Sequence, residues 1–189
     1  MILTPNIQID AVHVRNFEQM AWEFDTEQAV SEVFKGYGDL RGFDIDLKFV
    51  SGLQGNTVLV RVSDQDDGEN ALFARLISAP VPQGSLPWSR KMYVMDKVRV
   101  NKKYVGNGIA PAVYRWLAAQ GYTVISDSHQ TQTSLAVWRK LAAKGSVYTI
   151  NINDGNWRSY DPLKVEDWML FGNGDLERYW PIRFVLPGN

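Results

Sequence analysis

No cysteine occurs in the 189-residue chain, which excludes disulfides, thiolate nucleophiles and cysteine-ligated metals and fits a reducing compartment. Histidine is nearly as scarce. His13 and His129 make a total of 2, too few for a histidine metal centre, so no metal is expected and His13 is assigned to structure. An excess of one charge is missing too. With 20 basic and 21 acidic side chains the formal net charge is -1, so no global positive field draws the chain to nucleic acid or to an anionic membrane. No apolar stretch approaches the roughly 18 residues of a membrane span. Residues 1–10 carry no basic region followed by an apolar one, so no membrane partner and a cytoplasmic location are expected. Internal repeats and low-complexity tracts are absent as well. What remains is apolar material for one core: 45% hydrophobic content over this length predicts a single domain spanning 1–189.

Ile7, Ile9 and Ala11 alternate with Gln8, Asp10 and Val12, which predicts a half-buried strand near the start. Thr26 then reads as the cap of a helix over 27–35, with Ala29, Val30, Val33 and Phe34 at helical spacing and Gly36 as its stop. Residues 37–55 read as a turn-rich passage. Residues 57–64 and 70–78 read as strands joined by Gln65-Asp66-Asp67-Gly68-Glu69, a hairpin-like connection. Pro80, Pro82, Gly84 and Pro87 make a stiff loop, after which 91–100 completes an antiparallel meander. From there the apolar period changes from 2 to 3.6. Pro111 opens a helix through Val113, Trp116, Leu117 and Gln120 that Gly121 ends. Residues 123–126 are a short buried strand, and 134–144 a second amphipathic helix ended by Gly145. Strand, helix and strand over about 30 residues predict a parallel βαβ unit. Strands over 147–152 and 179–186 close the chain, with Pro181 directing the last one toward a sheet edge. The fold class is mixed α+β.

The stretch that carries chemistry reads Val98-Arg99-Val100-Asn101-Lys102-Lys103-Tyr104-Val105-Gly106-Asn107-Gly108-Ile109-Ala110 and runs straight into a helix. Gly106 and Gly108 let the backbone approach a ligand closely, and the free N–H groups of the helix start meet it with the positive end of the dipole. Such a corner suits an anion such as pyrophosphate. Here the sequence resembles the GNAT superfamily of N-acetyltransferases. That signature is a strand ending in valine, a short polar loop, and Arg/Gln-x-x-Gly-x-Gly/Ala opening a helix. Gly108 and Ala110 fill the two small positions, and Val105 stands at the Arg/Gln position, a departure for which Lys102 and Lys103 offer replacement charge. Downstream, Thr131-Gln132-Thr133-Ser134-Leu135-Ala136-Val137-Trp138 matches the family's helix with an Asn-x-x-Ala/Ser-x-x-Leu-Tyr-like pattern. Thr131 replaces Asn there, and Trp138 replaces Tyr. Residues 126–131 together with Trp138 are similar to a variant met among bacteriophage-encoded GNAT-like proteins. The resemblance covers residues 57–152.

The resemblance implies a GNAT fold, an antiparallel meander plus central βαβ and terminal hairpin, with acetyl-coenzyme A between the two central strands. It assigns coenzyme contacts to Val98, Val100, Val105, Gly106, Asn107, Gly108, Ile109, Ala110, Thr131 and Trp138. It also implies direct attack of an amine on the thioester, which requires a base for the amine proton. Asp96, on the strand face of Val98 and Val100, is the first candidate. His129, in the loop after the 123–126 strand, is the second. Ser134 or Thr131 would hydrogen-bond the departing thiolate, while Ser126 and Asp127 read equally as caps of the next helix. Trp138 stands where the family carries a phenol, and an indole N–H is no acid near neutral pH. A second reading therefore stays open, a catalytically silent GNAT-fold protein that binds or inhibits. The acceptor is left among a small amine, a protein amino group and a modified base, with a homodimer as a further partner and the host cytoplasm as the location of a phage-encoded member. The aromatic tail, Trp157, Tyr160, Trp168, Phe171, Tyr179, Trp180 and Phe184, suits a sealed sheet edge, an acceptor pocket or a partner surface.

Overall fold

The computed structural model describes residues 6–36, 38–52, 55–79, 88, 91–127, 131–163 and 182–188. In chain order these form α1 (Asn6–Thr26), β1 (Val30–Lys35), β2 (Phe43–Gly52), β3 (Gly55–Asp64), β4 (Asn70–Ser78), β5 (Met92–Val100), α2 (Ile109–Ala119), β6 (Thr123–Ser126), α3 (Gln132–Ala142), β7 (Tyr148–Asn151), β8 (Trp157–Ser159) and β9 (Ile182–Leu186). The strands are hydrogen-bonded in the order β1-β2-β3-β4-β5-β6-β9-β7-β8, mostly antiparallel, which makes the chain a mixed α+β protein. Its residues divide into two compact units, Met1–Leu76 with Lys97–Ile109 and Ile77–Asp96 with Ala110–Asn189.

In the first unit, the strand expected over 7–12 is part of α1, and the helix expected over 27–35 is β1. The first reversal has a packing cause and the second a hydrogen-bonding one. Phe17, Met20, Ala21 and Phe24 recur at helical spacing and meet Leu59, Phe73 and Val50, so one long helical face outweighs a short local alternation. The helix ends where Lys48 Nζ donates to Phe24 O at 2.5 Å and to Glu27 O at 3.2 Å, a cation on the negative end of the dipole. Thr26 therefore caps nothing downstream; its hydroxyl donates back to Trp22 O at 2.8 Å. Val30 and Val33 are 72% and 68% exposed, so their helical spacing marks no buried face. Ladder bonds decide instead, from Val30↔Phe49 to Lys35↔Asp44. The turn-rich passage over 37–55 is largely β2, where Ile45 and Leu47 are buried and Asp46 receives Arg61 at 2.7 Å and Ser31 Oγ. The 57–64 and 70–78 strands and their connection stand as β3, β4 and the 65–69 turn.

The second unit contains the parallel pair of the βαβ connection, Met92↔Thr123 through Met95↔Ser126. Its core gathers Met92, Ile125, Ile150 and Val185 around Trp88. β9 is no edge strand: it lies between β6 and β7, with Phe184, Val185 and Leu186 buried. Pro181, the 80–87 loop, Trp168, Phe171, Tyr179 and Trp180 lie outside the described residues. The β6–β9 ladder is short, Val124↔Leu186 and Ile125↔Val185, and side-chain hydroxyls extend it at both ends. Thr123 Oγ1 accepts from Gly188 N at 3.1 Å, and Ser126 Oγ accepts from Phe184 N at 3.0 Å. Ser126→Ala removes the buried hydroxyl that accepts the Phe184 N–H, so unfolding stability should fall by about 1–3 kcal/mol. Urea denaturation checks this, and a loss within the roughly 0.5 kcal/mol of a surface change would show that water replaces the hydroxyl.

Candidate functional site

The glycine turn is fixed from its N-terminal side by a polar network. Asn101, just after β5, accepts Lys103 N at 3.1 Å on its side-chain oxygen and donates through Nδ2 to Glu69 Oε1 and Asn70 O, each at 3.0 Å. Its own N–H reaches Ala71 O at 2.9 Å. Residues Lys102–Tyr104 form a single 3-10 turn that the Asn101 side chain caps. Tyr104 is buried, its ring edge-on to Phe43 at 5.9 Å and its hydroxyl donating to Asp64 Oδ2 at 2.9 Å. Burial, then the Asp64 bond, hold that phenol above its usual range. Lys103 Nζ sits at 2.7 Å from Asp67 Oδ2 and 2.9 Å from Glu69 Oε2. Those bonds, Asp67 first, raise the ammonium well above its ordinary value, and the same contact lowers the Asp67 carboxyl. Lys103, expected as replacement charge for Val105, is thus tied to the β3–β4 turn.

Beyond Tyr104 the chain makes its turn. Val105 is 58% exposed, Gly106 has φ of 87° and Gly108 φ of 78°, and Ile109 is buried at the start of α2. A Cβ on either glycine would meet nothing within 4 Å. Glycine is needed here for its left-handed backbone, and space is not the constraint. Asn107 N donates to Tyr104 O at 3.2 Å, whereas among the described residues the N–H groups of Gly106 and Gly108 have no acceptor. Unsatisfied N–H groups leading into a helix start form a concavity that an anion satisfies. Val98 and Val100, upstream on β5, are half-buried.

The other candidates lie in the second unit. Asp96 is half-buried on β5. Thr131 is the N-cap of α3, its hydroxyl accepting Ser134 N at 3.2 Å; the cap expected at Ser126 or Asp127 is thus four or five residues further on. Ser134 is half-buried and supplies that N–H. Trp138, 1% exposed, lies face to face with Tyr114 (5.5 Å, 19°) and with Phe184 (5.4 Å, 21°), while Tyr160 meets Phe184 edge-on at 4.8 Å. The indole is a core side chain. Burial, then the charge of Asp127, push the Tyr114 phenol far above its usual value. His129 lies outside the described residues. A separate open cavity of about 280 Å³ is lined by Thr149, Asn151, Asn156, Trp157, Arg158 and Ile182. Trp157, of the aromatic tail, also packs on Trp88 and Tyr148 at 5.4 and 5.5 Å.

Sequence reading missed the grip of the β3–β4 turn on residues 101–104. Its signal was present: a meander brings the β3–β4 connection and the end of β5 to the same end of the sheet, which sets Asp64, Asp67 and Glu69 opposite Lys103 and Tyr104. Among the described residues no group of His, Asp and Glu side chains is arranged to hold a metal, and no helix is long and apolar enough to cross a membrane. No family model, curated protein or solved structure matches the chain.

Proposed function

We propose that the chain is an N-acetyltransferase of GNAT type, moving an acetyl group from acetyl-coenzyme A to an amine. The observation that carries this reading is the succession of β5, a turn with two left-handed glycines and open N–H groups, α2, and a β6 strand parallel to β5. The coenzyme's pyrophosphate is assigned to the main-chain N–H groups of the glycine turn, and Asp96 to the amine proton. The acceptor class stays a small amine, a protein amino group or a modified base.

A second reading is favoured by Trp138, whose ring is buried in an aromatic stack at the position where the resemblance calls for a phenol. That chain would bind acetyl-coenzyme A, or a partner, without turnover. Calorimetric titration with acetyl-coenzyme A and thiol release with a panel of amines separate the two. The enzyme reading expects saturable binding and amine-dependent thiol release, with the rate of Asp96→Asn falling about 100-fold at unchanged coenzyme affinity. Binding without release from any amine selects the silent reading. Failure to bind removes both coenzyme readings.

A further inference from the structure

We infer that the acidic β3–β4 turn positions the glycine turn, so that Asp67 and Glu69 strengthen anion binding there although both are negatively charged. This rests on the proposed coenzyme site, and its first readout is independent of any ligand. Simple electrostatics gives the opposite sign: a carboxylate roughly 10 Å from an anion in water weakens its binding about twofold, less with salt. Removing the two charges should on that ground alone tighten binding.

The contacts point the other way. Lys103 is held by both carboxylates, its own side chain and those of Asp67 and Glu69 each less than half exposed. Asn101 joins the same Glu69 through its other oxygen and reaches the start of β4. Tyr104 is buried against Phe43 and tied to Asp64. Residues 105–108 therefore span between a fixed Tyr104 and a buried Ile109, and the bond from Asn107 N to Tyr104 O transmits the position of one to the other. A turn ordered before the ligand arrives binds more tightly than one that must be ordered by it. Asp67, Glu69 and Lys103 are positioning residues in this scheme and touch no ligand.

The test compares the wild type, Asp67→Asn/Glu69→Gln, Lys103→Met and Lys103→Arg. Hydrogen exchange of the peptide over 101–109 is measured in ligand-free protein, and acetyl-coenzyme A affinity by calorimetry. The carboxylate pair and Lys103→Met should both speed exchange at the Asn107 amide and both weaken binding about tenfold, the scale of re-ordering one backbone residue. Lys103→Arg, which keeps donors for both carboxylates, should restore both readouts, and the global unfolding midpoint should barely move. Tighter binding in Asp67→Asn/Glu69→Gln with weaker binding in Lys103→Met would overturn the proposal, because Lys103 would then be a direct phosphate contact. Unchanged exchange at Asn107 would overturn it too. Should the wild type bind no acetyl-coenzyme A, the functional reading fails by itself, and the exchange comparison still decides whether the acidic turn fixes the glycine turn.

Discussion

Trp138→Ala is expected to lower unfolding stability by about 3–5 kcal/mol, the usual cost of truncating a fully buried tryptophan. The indole is 1% exposed and is stacked with two rings, Tyr114 from α2 and Phe184 from β9. Alanine would leave a void beside Tyr114 and Phe184, and Phe184, against which Tyr160 packs edge-on, would lose its stacking partner. Trp138→Phe keeps a ring in the gap and should retain most of the stability, since stacked geometry adds only about 0.5–1.5 kcal/mol beyond area. Guanidinium denaturation of the three proteins gives the answer. An alanine variant within about 1 kcal/mol of wild type, but altered in thiol release, would place the indole against the thioester rather than in the core.

The legible parts of the fold are those where side-chain pattern and burial coincide. The bounds of 70–78 and 123–126 are legible because β4 and β6 are largely buried strands, and α2 is marked by Pro111 in its first turn and Gly121 beyond its end, with Val113, Trp116 and Leu117 on its buried face. Pattern misled where it was not tied to burial. Val30 and Val33 sit at helical spacing on an exposed strand, and Asp46 is a carboxylate buried inside β2 because Arg61 and Ser31 satisfy it. Long-range pairing was beyond reach for another reason. Nothing local to 182–186 says that this strand enters between β6 and β7, where Ser126, 58 positions away, accepts its Phe184 N–H. At the candidate site the turn itself is legible from Gly106-Asn107-Gly108, but its glycines read as room for a ligand, whereas what they meet is a left-handed backbone with open space around it. The support beneath the turn is not legible, because Tyr104 and Asp64 are 40 positions apart and the hydroxyl bond between them depends on the meander register.

The largest effect on ligand binding is expected from Gly108→Val, which should raise the dissociation constant for acetyl-coenzyme A by about 10²–10⁴-fold. A Cβ at this position meets no atom within 4 Å, so the free protein has no steric reason to unfold. The backbone is the obstacle. At φ of 78° a β-branched residue is an outlier that costs about 1–3 kcal/mol, which the turn escapes by rotating toward negative φ. That rotation re-aims the N–H groups of Gly108 and Ile109. If both serve the pyrophosphate, two charge-assisted bonds at about 1.5–3 kcal/mol each are lost, which is the stated range of affinity. Gly108→Asn is the control, because asparagine tolerates the left-handed region; it should bind within about tenfold of wild type despite carrying a longer side chain. Calorimetry on the three proteins, each checked for an unchanged far-UV spectrum, separates backbone from bulk. If valine and asparagine weaken binding alike, the side chain blocks the ligand and the dihedral is incidental. If valine binds as tightly as glycine, the turn does not hold the coenzyme.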